Sequence, residues 1–328
     1  WSSASPDFAV DGVVDRFGQI APKVFIAADG YRYAGKAIDL ADKVRAVLPR
    51  LGAMRRTIVV PVLGRADALA ASLPEALTLE NALAPFGARP VTYVRLPFNQ
   101  PLLILFSSGT TGVPKCIVHS AGGTLLQHLK GHQLHSAIGA DDRVCYFTTL
   151  GWMMWNWLVS ALASGAALML YDGSPFHPSP AVLFDYADAE RWSFFGTSAK
   201  FIDALKKAEY RPRDHHRLDR LRTIASTGSP LAAESFDFVY DAIKSDVHLA
   251  SISGGTDIVS CFVLGVPSLP VWRGEIQAAG LGLAVDVDDA NSAPLKSGKG
   301  ELVCTKPFPS MPVGFWNDPD GRKYHAAY

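Results

Sequence analysis

The strongest chemical signal in the sequence is a nine-residue segment, Ser107-Ser108-Gly109-Thr110-Thr111-Gly112-Val113-Pro114-Lys115, which directly follows an apolar run. Its two glycines allow the backbone to turn tightly and bring N–H groups close to phosphate oxygens. Its four hydroxyl groups add donors, and the ammonium group of Lys115 adds positive charge for the β- and γ-phosphates. A surface turn rich in Ser, Thr and Gly is the alternative, but it does not explain the Pro-Lys ending after a buried strand. The segment therefore predicts a phosphate-binding loop.

The Walker A loop is the competing phosphate motif, and its spacing does not fit this segment. That pattern requires Gly, four residues and then Gly-Lys-Ser/Thr. Here Gly109 is followed by Gly112 after two residues, and Lys115 precedes Cys116 rather than a hydroxyl residue. The loop therefore belongs to another class of nucleotide site.

The elements that must position this loop alternate between apolar, β-branched runs and helical patterns. Strands are predicted at 57–62, 102–107, 143–147, 167–171, 223–226 and 247–252, and helices at 123–136, 181–191, 199–208 and 232–244. Such alternation predicts an α/β fold with parallel-sheet βαβ subdomains. Beyond 260 glycine and proline become frequent, and short strands are expected at 283–287 and 301–304. We therefore predict α/β subdomains over 1–260 and a smaller β-rich subdomain over 261–328.

The bulk composition argues against nucleic acid and membrane partners. The 328 residues include 31 basic and 31 acidic side chains, and no basic stripe is present. The uncharged run 151–171 could span a bilayer, but Asn156, Ser160 and Gly165 interrupt it and no basic flank follows. It predicts a buried helix over about 152–163, a turn and a buried strand. The four cysteines form no C-x-x-C pair, which argues against zinc and favours buried thiols in a reducing compartment such as the cytoplasm.

The phosphate loop resembles that of the adenylate-forming superfamily, which includes acyl-CoA synthetases, luciferases and the adenylation domains of peptide synthetases. The resemblance to the acyl-CoA synthetase branch covers nearly the whole chain and is weakest over about 48–94. It implies an acid–thiol ligase that uses ATP and CoA as co-substrates and Mg²⁺ as cofactor. It also implies that Lys115 and Thr110 are catalytic and that the residues from Ser107 to Gly112 bind the phosphates.

Two further segments follow predicted strands and resemble family motifs. Thr227-Gly228-Ser229-Pro230 is similar to the segment whose backbone holds adenine, with Ser229 where relatives of the acetyl-CoA synthetase type have Glu. Ser253-Gly254-Gly255-Thr256-Asp257 is similar to the aromatic-x-Thr-Glu motif. The resemblance implies that Thr256 contacts the α-phosphate as a catalytic residue, and that Asp257 helps to hold Mg²⁺. A Gly-Gly turn with a helix-capping Asp is the structural alternative.

The resemblance also implies an acyl pocket formed by Trp152, Met153, Met154, Thr227 and Gly254, although core packing is an alternative for Trp152. Family members that take acetate carry Trp at the position of Gly254, so its absence implies room for a longer acid. Methionine adapts to varied shapes, and the Thr227 hydroxyl could donate a hydrogen bond to a ketone oxygen. The expected substrate is therefore a 3-oxo acid such as acetoacetate. Segments such as 16–20 and 170–175 are similar to family members that act on this acid.

Arg32 and Lys36 resemble basic residues that meet the CoA phosphates in acetyl-CoA synthetases, with solvated surface charge as the alternative. The ribose-binding Asp and the catalytic Lys of the small mobile domain have no counterpart within 1–328. We therefore expect the chain to be part of a longer protein and to have little activity by itself. Two rival functions stay open, a synthetase for another short or medium-chain acid and a non-catalytic ATP-binding protein.

Overall fold

The computed structural model describes residues 1–52, 54–107 and 113–328. The α-helices are α1 (Val10–Ile20), α2 (Ala41–Val47), α3 (Ala66–Ala71), α4 (Leu79–Leu83), α5 (Ala121–Lys130), α6 (Met153–Ser160), α7 (Val182–Ala189), α8 (Ala199–Lys207), α9 (Ala233–Phe238) and α10 (Arg322–Ala327). The β-strands are β1 (Val24–Ala28), β2 (Gly30–Tyr33), β3 (Lys36–Asp39), β4 (Arg56–Val60), β5 (Ala76–Thr78), β6 (Pro101–Ser107), β7 (Lys115–Ser120), β8 (Arg143–Tyr146), β9 (Ala167–Met169), β10 (Phe194–Ser198), β11 (Thr223–Thr227), β12 (His248–Ser251), β13 (Ser253–Gly255), β14 (Ser260–Leu264), β15 (Ala278–Ala279), β16 (Val285–Asp288), β17 (Glu301–Cys304) and β18 (Gly314–Phe315).

A five-stranded parallel sheet, in the order β12-β11-β10-β8-β9, lies at the centre of the fold. The predicted strands at 143–147, 167–171, 223–226 and 247–252 are confirmed as β8, β9, β11 and β12, with ends that differ by at most two residues. Strand β10 was not predicted from the sequence. The α/β fold with a parallel sheet is therefore confirmed.

Apolar cores pack against both faces of the central sheet, and its strands carry apolar residues that point to each side. On one face Phe195 and Ile224 pack in a core that includes the apolar sides of α7, α8 and α9. On the other face Val144 and Phe194 pack against Trp157 of α6. Each fully buried side chain of this size contributes about 1.5–3 kcal/mol to the free energy of unfolding, so the two cores stabilise the sheet on both faces. Ligands of such open sheets bind beyond the carboxyl ends of the strands.

The uncharged run 151–171 forms a helix and a strand, as predicted. Helix α6 is followed by a short 3₁₀ turn at Ala161–Ser164, by Gly165 with a φ of 80°, and by β9. A positive φ at this turn suits glycine, which has no Cβ to clash. Among the described helices, none combines the length and apolar character that a bilayer crossing requires.

A second sheet, in the order β18-β7-β6, carries the ends of the phosphate loop. Strands β6 and β7 pair antiparallel, and Ser107 pairs with Lys115. Strand β7 was missed by the sequence analysis.

The predicted strand 301–304 is β17, which pairs antiparallel with β16. The predicted subdomain boundary near 260 stays a prediction; β13 and β14 pair antiparallel across it, with Gly254 opposite Cys261.

An amino-terminal parallel sheet, in the order β1-β4-β5, is anchored by one buried carboxylate. Asp29 is 1% exposed and accepts hydrogen bonds from the backbone N–H groups of Val62, Leu63 and Arg65 at 2.8, 2.9 and 2.6 Å. Burial alone raises the pKa of Asp29, but the three backbone donors outweigh it and hold the pKa below its usual value. The Asp29 carboxylate therefore holds the backbone of the loop after β4 through three hydrogen bonds.

Candidate active site

The predicted phosphate loop lies between strands β6 and β7, which pair with each other as a β-hairpin. Ser107 ends β6, Lys115 begins β7, and the two residues pair in register. The predicted loop residues Ser108 to Gly112 lie outside the described residues. The Lys115 ammonium lies 5.9 Å from the ring centroids of Phe315 and Tyr328, within the range of cation–π attraction. Lys115 is thus held at the loop base by two aromatic rings.

A cavity of about 600 Å³ opens at the carboxyl ends of β11 and β12. This is the size of a typical ligand pocket. The predicted residues that it brings together are Trp152, Met153, Met154, Thr227, Gly228, Ser229, Pro230, Ser253, Gly254, Gly255 and Thr256. Other side chains in its lining include Arg16 and Asn156, which the sequence analysis did not assign to the site. Of the described residues, five were predicted for the site but do not line this cavity: Arg32, Lys36, Ser107, Lys115 and Asp257.

The Thr227 hydroxyl is already engaged within the protein. Its Oγ1 donates to the carbonyl oxygen of Ile252 at 3.0 Å. A hydroxyl has one proton, so Thr227 cannot at the same time donate to a ketone oxygen. The expectation that Thr227 provides this donor is therefore not supported by the geometry, although its side chain does line the cavity. The bond instead joins the ends of β11 and β12.

Gly254 is required by the close approach of two backbones. A Cβ atom at this position would lie 2.1 Å from the carbonyl oxygen of Ser260 and 2.3 Å from Cα of Cys261. Both atoms belong to β14, which pairs with β13. The lack of a side chain at 254 therefore serves the pairing of β13 with β14, in addition to any effect on the volume of the cavity.

The Thr256–Asp257 turn lies at the cavity rim as a 3₁₀ turn, Thr256–Ile258. The Asp257 carboxylate accepts a hydrogen bond from the Tyr328 hydroxyl at 2.5 Å. Burial and the neighbouring carboxylate raise the pKa of Tyr328, which keeps this donor protonated. Within the described ranges, no three His, Cys, Asp or Glu residues group together as a metal site would require.

A buried histidine that was not predicted from the sequence contacts the backbone of the turn that carries Thr256. His119 of β7 is 0% exposed, and its Nε2 lies 2.8 Å from the carbonyl oxygen of Thr256. Its Nδ1 lies 3.2 Å from the carbonyl oxygen of Ser310, whose hydroxyl donates to the carbonyl of Ile258 at 2.6 Å. Burial lowers the pKa of His119, so a neutral ring donates one hydrogen bond. The shorter contact places this proton on Nε2, toward Thr256. The sequence signal was a single histidine within an apolar strand.

A second buried histidine joins three elements beside the same turn. His128 of α5 contacts the carbonyl oxygen of Val259 through Nε2 at 2.6 Å and the hydroxyl of Ser160 through Nδ1 at 2.7 Å. Burial lowers the pKa of His128 to about 4. It also lowers the pKa of His132, one turn further along, to about 3. Neutral imidazoles therefore tie α5 to α6 and to the end of the Thr256 turn.

Arg32 and Lys36 lie apart from the cavity lining. They belong to the two strands of the β2–β3 hairpin, and both side chains are exposed. The structure therefore does not bring them to the cavity, and their assignment to CoA stays a prediction.

Comparisons with known proteins identify the family of the chain. The family described as "AMP-binding enzyme" matches residues 2–312, which include every segment of the cavity lining. The chain belongs to the AMP-binding enzyme family. It is 64% identical, over all of its 328 residues, to an acetoacetyl-coenzyme A synthetase of Rhizobium meliloti, and covers 50% of that protein. It is 50% identical to an acetoacetyl-CoA synthetase of Mus musculus, which it covers to 49%.

The family fold is also confirmed by a solved structure, an acetoacetyl-CoA synthetase from Streptomyces lividans. That structure is similar over the whole of this chain, with a TM-score of 0.92 and 44% sequence identity, and the match covers 50% of its length. The chain spans about half the length of the relatives it matches. The family and the fold therefore follow from the comparisons.

Proposed function

We propose that this chain is the nucleotide- and acyl-binding part of a ligase that activates acetoacetate with ATP and transfers the acetoacetyl group to CoA. The observation that carries the proposal is the cavity, which gathers the adenine-type segment at Thr227, the Thr256 segment and the Trp152–Met154 segment at one edge of the central sheet. The names of the relatives that match the entire chain support acetoacetate as the acid.

The proposed chemistry has two steps. A carboxylate oxygen of the acid attacks the α-phosphorus of ATP, the bond to the bridging oxygen breaks, and pyrophosphate leaves with the bonding electrons. The thiol sulfur of CoA then attacks the acyl carbon, AMP departs as the leaving group, and the thiol proton is lost to solvent. Positioning and charge neutralisation lower the first barrier. Lys115 and the hydroxyl groups of the phosphate loop offset charge on the phosphates, and Thr256 contacts the α-phosphate.

Asp257 is the residue proposed to hold Mg²⁺. One carboxylate at the turn suits a hard cation that takes most of its oxygen ligands from phosphates and water. The Tyr328 hydroxyl engages Oδ1 of Asp257 at 2.5 Å, so Oδ2 is the oxygen that would meet the cation. A magnesium ion there would supply positive charge to the phosphates. The backbone of Gly228 to Pro230 is proposed to hold adenine.

The remaining assignments are proposals as well. Arg32 and Lys36 are proposed to contact the CoA phosphates. Residues 1–260 and 261–328 are proposed to form two separate subdomains. The proposed compartment is the cytoplasm. Three buried free thiols, Cys116, Cys145 and Cys261, support a reducing compartment. We propose no nucleic acid or membrane partner, since the net charge is zero.

Pyrophosphate release by the full-length gene product with Mg-ATP and a panel of acids tests the proposal. The panel contains acetate, propionate, butyrate, acetoacetate and 3-hydroxybutyrate, and this chain alone is the control, expected to show little activity. A preference for acetoacetate in kcat/KM is expected. A preference for another acid would retain the adenylation chemistry but refute the substrate, and ATP binding without turnover of any acid would favour a non-catalytic role.

A further inference from the structure

Helix α6 carries one polar side chain into the cavity. Met153 and Asn156 are three residues apart on the helix, which places them on the same face, and both line the cavity. Trp157 and Leu158 of the same helix are buried in the core, and Met154 is buried but also belongs to the lining. The Asn156 amide makes no hydrogen bond to any residue that the structure describes. The amide is therefore available to a ligand in the cavity.

Several other polar groups of the cavity lining make hydrogen bonds within the protein. The Thr227 hydroxyl donates to Ile252, and the Ser3 hydroxyl donates to the carbonyl oxygen of Leu150 at 2.6 Å. The guanidinium of Arg16 donates to the carbonyl oxygen of Gly12 at 2.8 Å and lies 4.6 Å from the ring centroid of Phe8. The side chains Ser229, Ser253 and Thr256 belong to the segments proposed to hold the nucleotide. The donors left in the lining are Asn156, the indole N–H of Trp152, the Ser251 hydroxyl and the other N–H groups of Arg16. Of these, Asn156 and Trp152 belong to the segment proposed to face the acyl group.

The position of Asn156 is fixed by the residues that follow it on the helix. The carbonyl oxygen of Trp157 accepts from Nε2 of His132 at 2.9 Å, and Ser160 contacts His128 at 2.7 Å. Trp157 is 6% exposed, and its ring centroid lies 4.3 Å from that of His132. A polar group on an anchored helix recognises a ligand with little loss of conformational freedom.

We propose that Asn156 determines specificity for a 3-oxo acid, through donation of a hydrogen bond from Nδ2 to the ketone oxygen. This inference rests on the proposed function, and it names the side chain that distinguishes the 3-oxo acid from other acids. A ketone oxygen is an acceptor only, and the amide has two N–H donors. An acid without the oxo group would displace water from Asn156 and leave the amide without a partner, which disfavours that acid. Asn156 therefore favours acetoacetate and also discriminates against butyrate.

The test combines a change in the protein with a change in the substrate. In the full-length gene product, kcat/KM is measured for acetoacetate and for butyrate, which has the same carbon chain without the oxo group. In Asn156→Leu, which is close in size and lacks both amide groups, kcat/KM for acetoacetate is expected to fall about ten- to a hundredfold while that for butyrate is kept or rises. Asn156→Asp keeps the size but not the donor, and is expected to lower the same ratio. Val159→Ala, an exposed position of α6 outside the cavity lining, is the matched control and leaves the ratio unchanged.

The outcomes separate the inference from the proposed function. An equal loss for both acids in Asn156→Leu, or an unchanged ratio, would overturn the role of Asn156. A ratio that collapses in Trp152→Phe but not in Asn156→Leu would assign the donor to the indole and overturn it as well. If Asn156→Leu does not fold, Asn156→Ala, which also lacks a side-chain donor, carries the same comparison. Failure of the wild-type protein to prefer acetoacetate refutes the proposed function itself, and it is seen before any variant is made.

Discussion

A methyl group at position 254 should break the pairing of β13 with β14. In Gly254→Ala the new Cβ would lie 2.1 Å from the Ser260 carbonyl oxygen, where an ordinary contact is at least 3.4 Å, so the two backbones must separate by about 1.3 Å. Because the opposing atoms are backbone, no side chain can move aside. Overpacking of this kind costs about 1–3 kcal/mol, and each ladder hydrogen bond lost adds about 1 kcal/mol. We therefore expect the free energy of unfolding to fall by about 2–4 kcal/mol.

Urea-induced unfolding of this chain measures that change, with Gly255→Ala as the matched control. A Cβ at Gly255 meets no atom within 4 Å, and the φ of −171° there is extended backbone that any residue adopts. Gly255→Ala is therefore expected to change the free energy of unfolding by less than about 1 kcal/mol. Equal stabilities of the two variants would refute the reasoning, because the glycine at 254 would then not be needed for the approach of the strands.

Three other substitutions test the hydrogen bonds around the site and the amino-terminal sheet. Thr227→Val should lower the free energy of unfolding by about 1 kcal/mol, since the Ile252 carbonyl loses its donor, yet leave the acetoacetate-to-butyrate ratio of kcat/KM unchanged; urea unfolding and kinetics check both. His119→Ala should cost about 1–3 kcal/mol and raise KM for ATP, because the Thr256 carbonyl loses its partner, and His119→Gln should recover part of each effect. Asp29→Asn should cost about 1–3 kcal/mol at pH 7, because its carboxylate accepts three backbone donors. The lowered pKa of Asp29 means that this contribution is present above about pH 4 and is lost as the pH falls below it, so the difference between wild type and variant in urea unfolding should shrink at pH 3.

Much of the fold could be predicted because its signals are local. The apolar runs of β8, β11 and β12 and the helical patterns of α7 and α8 are read within a window of ten residues, and β17 was predicted with its exact ends. Strand β7 was missed because its six residues become a strand only through pairing with β6 across the phosphate loop. Strand β10 is a short apolar segment directly before a helix, and such segments are ambiguous in sequence.

The segments of the candidate site could also be predicted, since each is a short motif after a strand. What could not be predicted are the contacts between distant residues. The partner of Thr227 lies 25 positions away, and His119 meets a carbonyl 137 positions away. The closeness of Gly254 to Ser260 depends on a register shift between two strands, which no pattern within one strand encodes.

The buried neutral histidines beside the site make the stability of this region depend on pH. His128 and His132 have pKa values of about 4 and 3 in the folded chain, whereas a free imidazole takes up a proton near pH 6.5. In mildly acidic solution the unfolded chain therefore binds more protons than the folded chain. Between about pH 6 and 4, each of the two rings lowers the free energy of unfolding by up to about 1.4 kcal/mol for each pH unit of acidification. Because a charged ring is costly to keep buried, protonation of His128 or His132 favours states in which the ring leaves its contacts with Val259 and Ser160, or with Trp157, for water. Acidification would thus destabilise the packing of helix α6 and of the turn beside it, and with them the cavity wall that carries Met153 and Asn156.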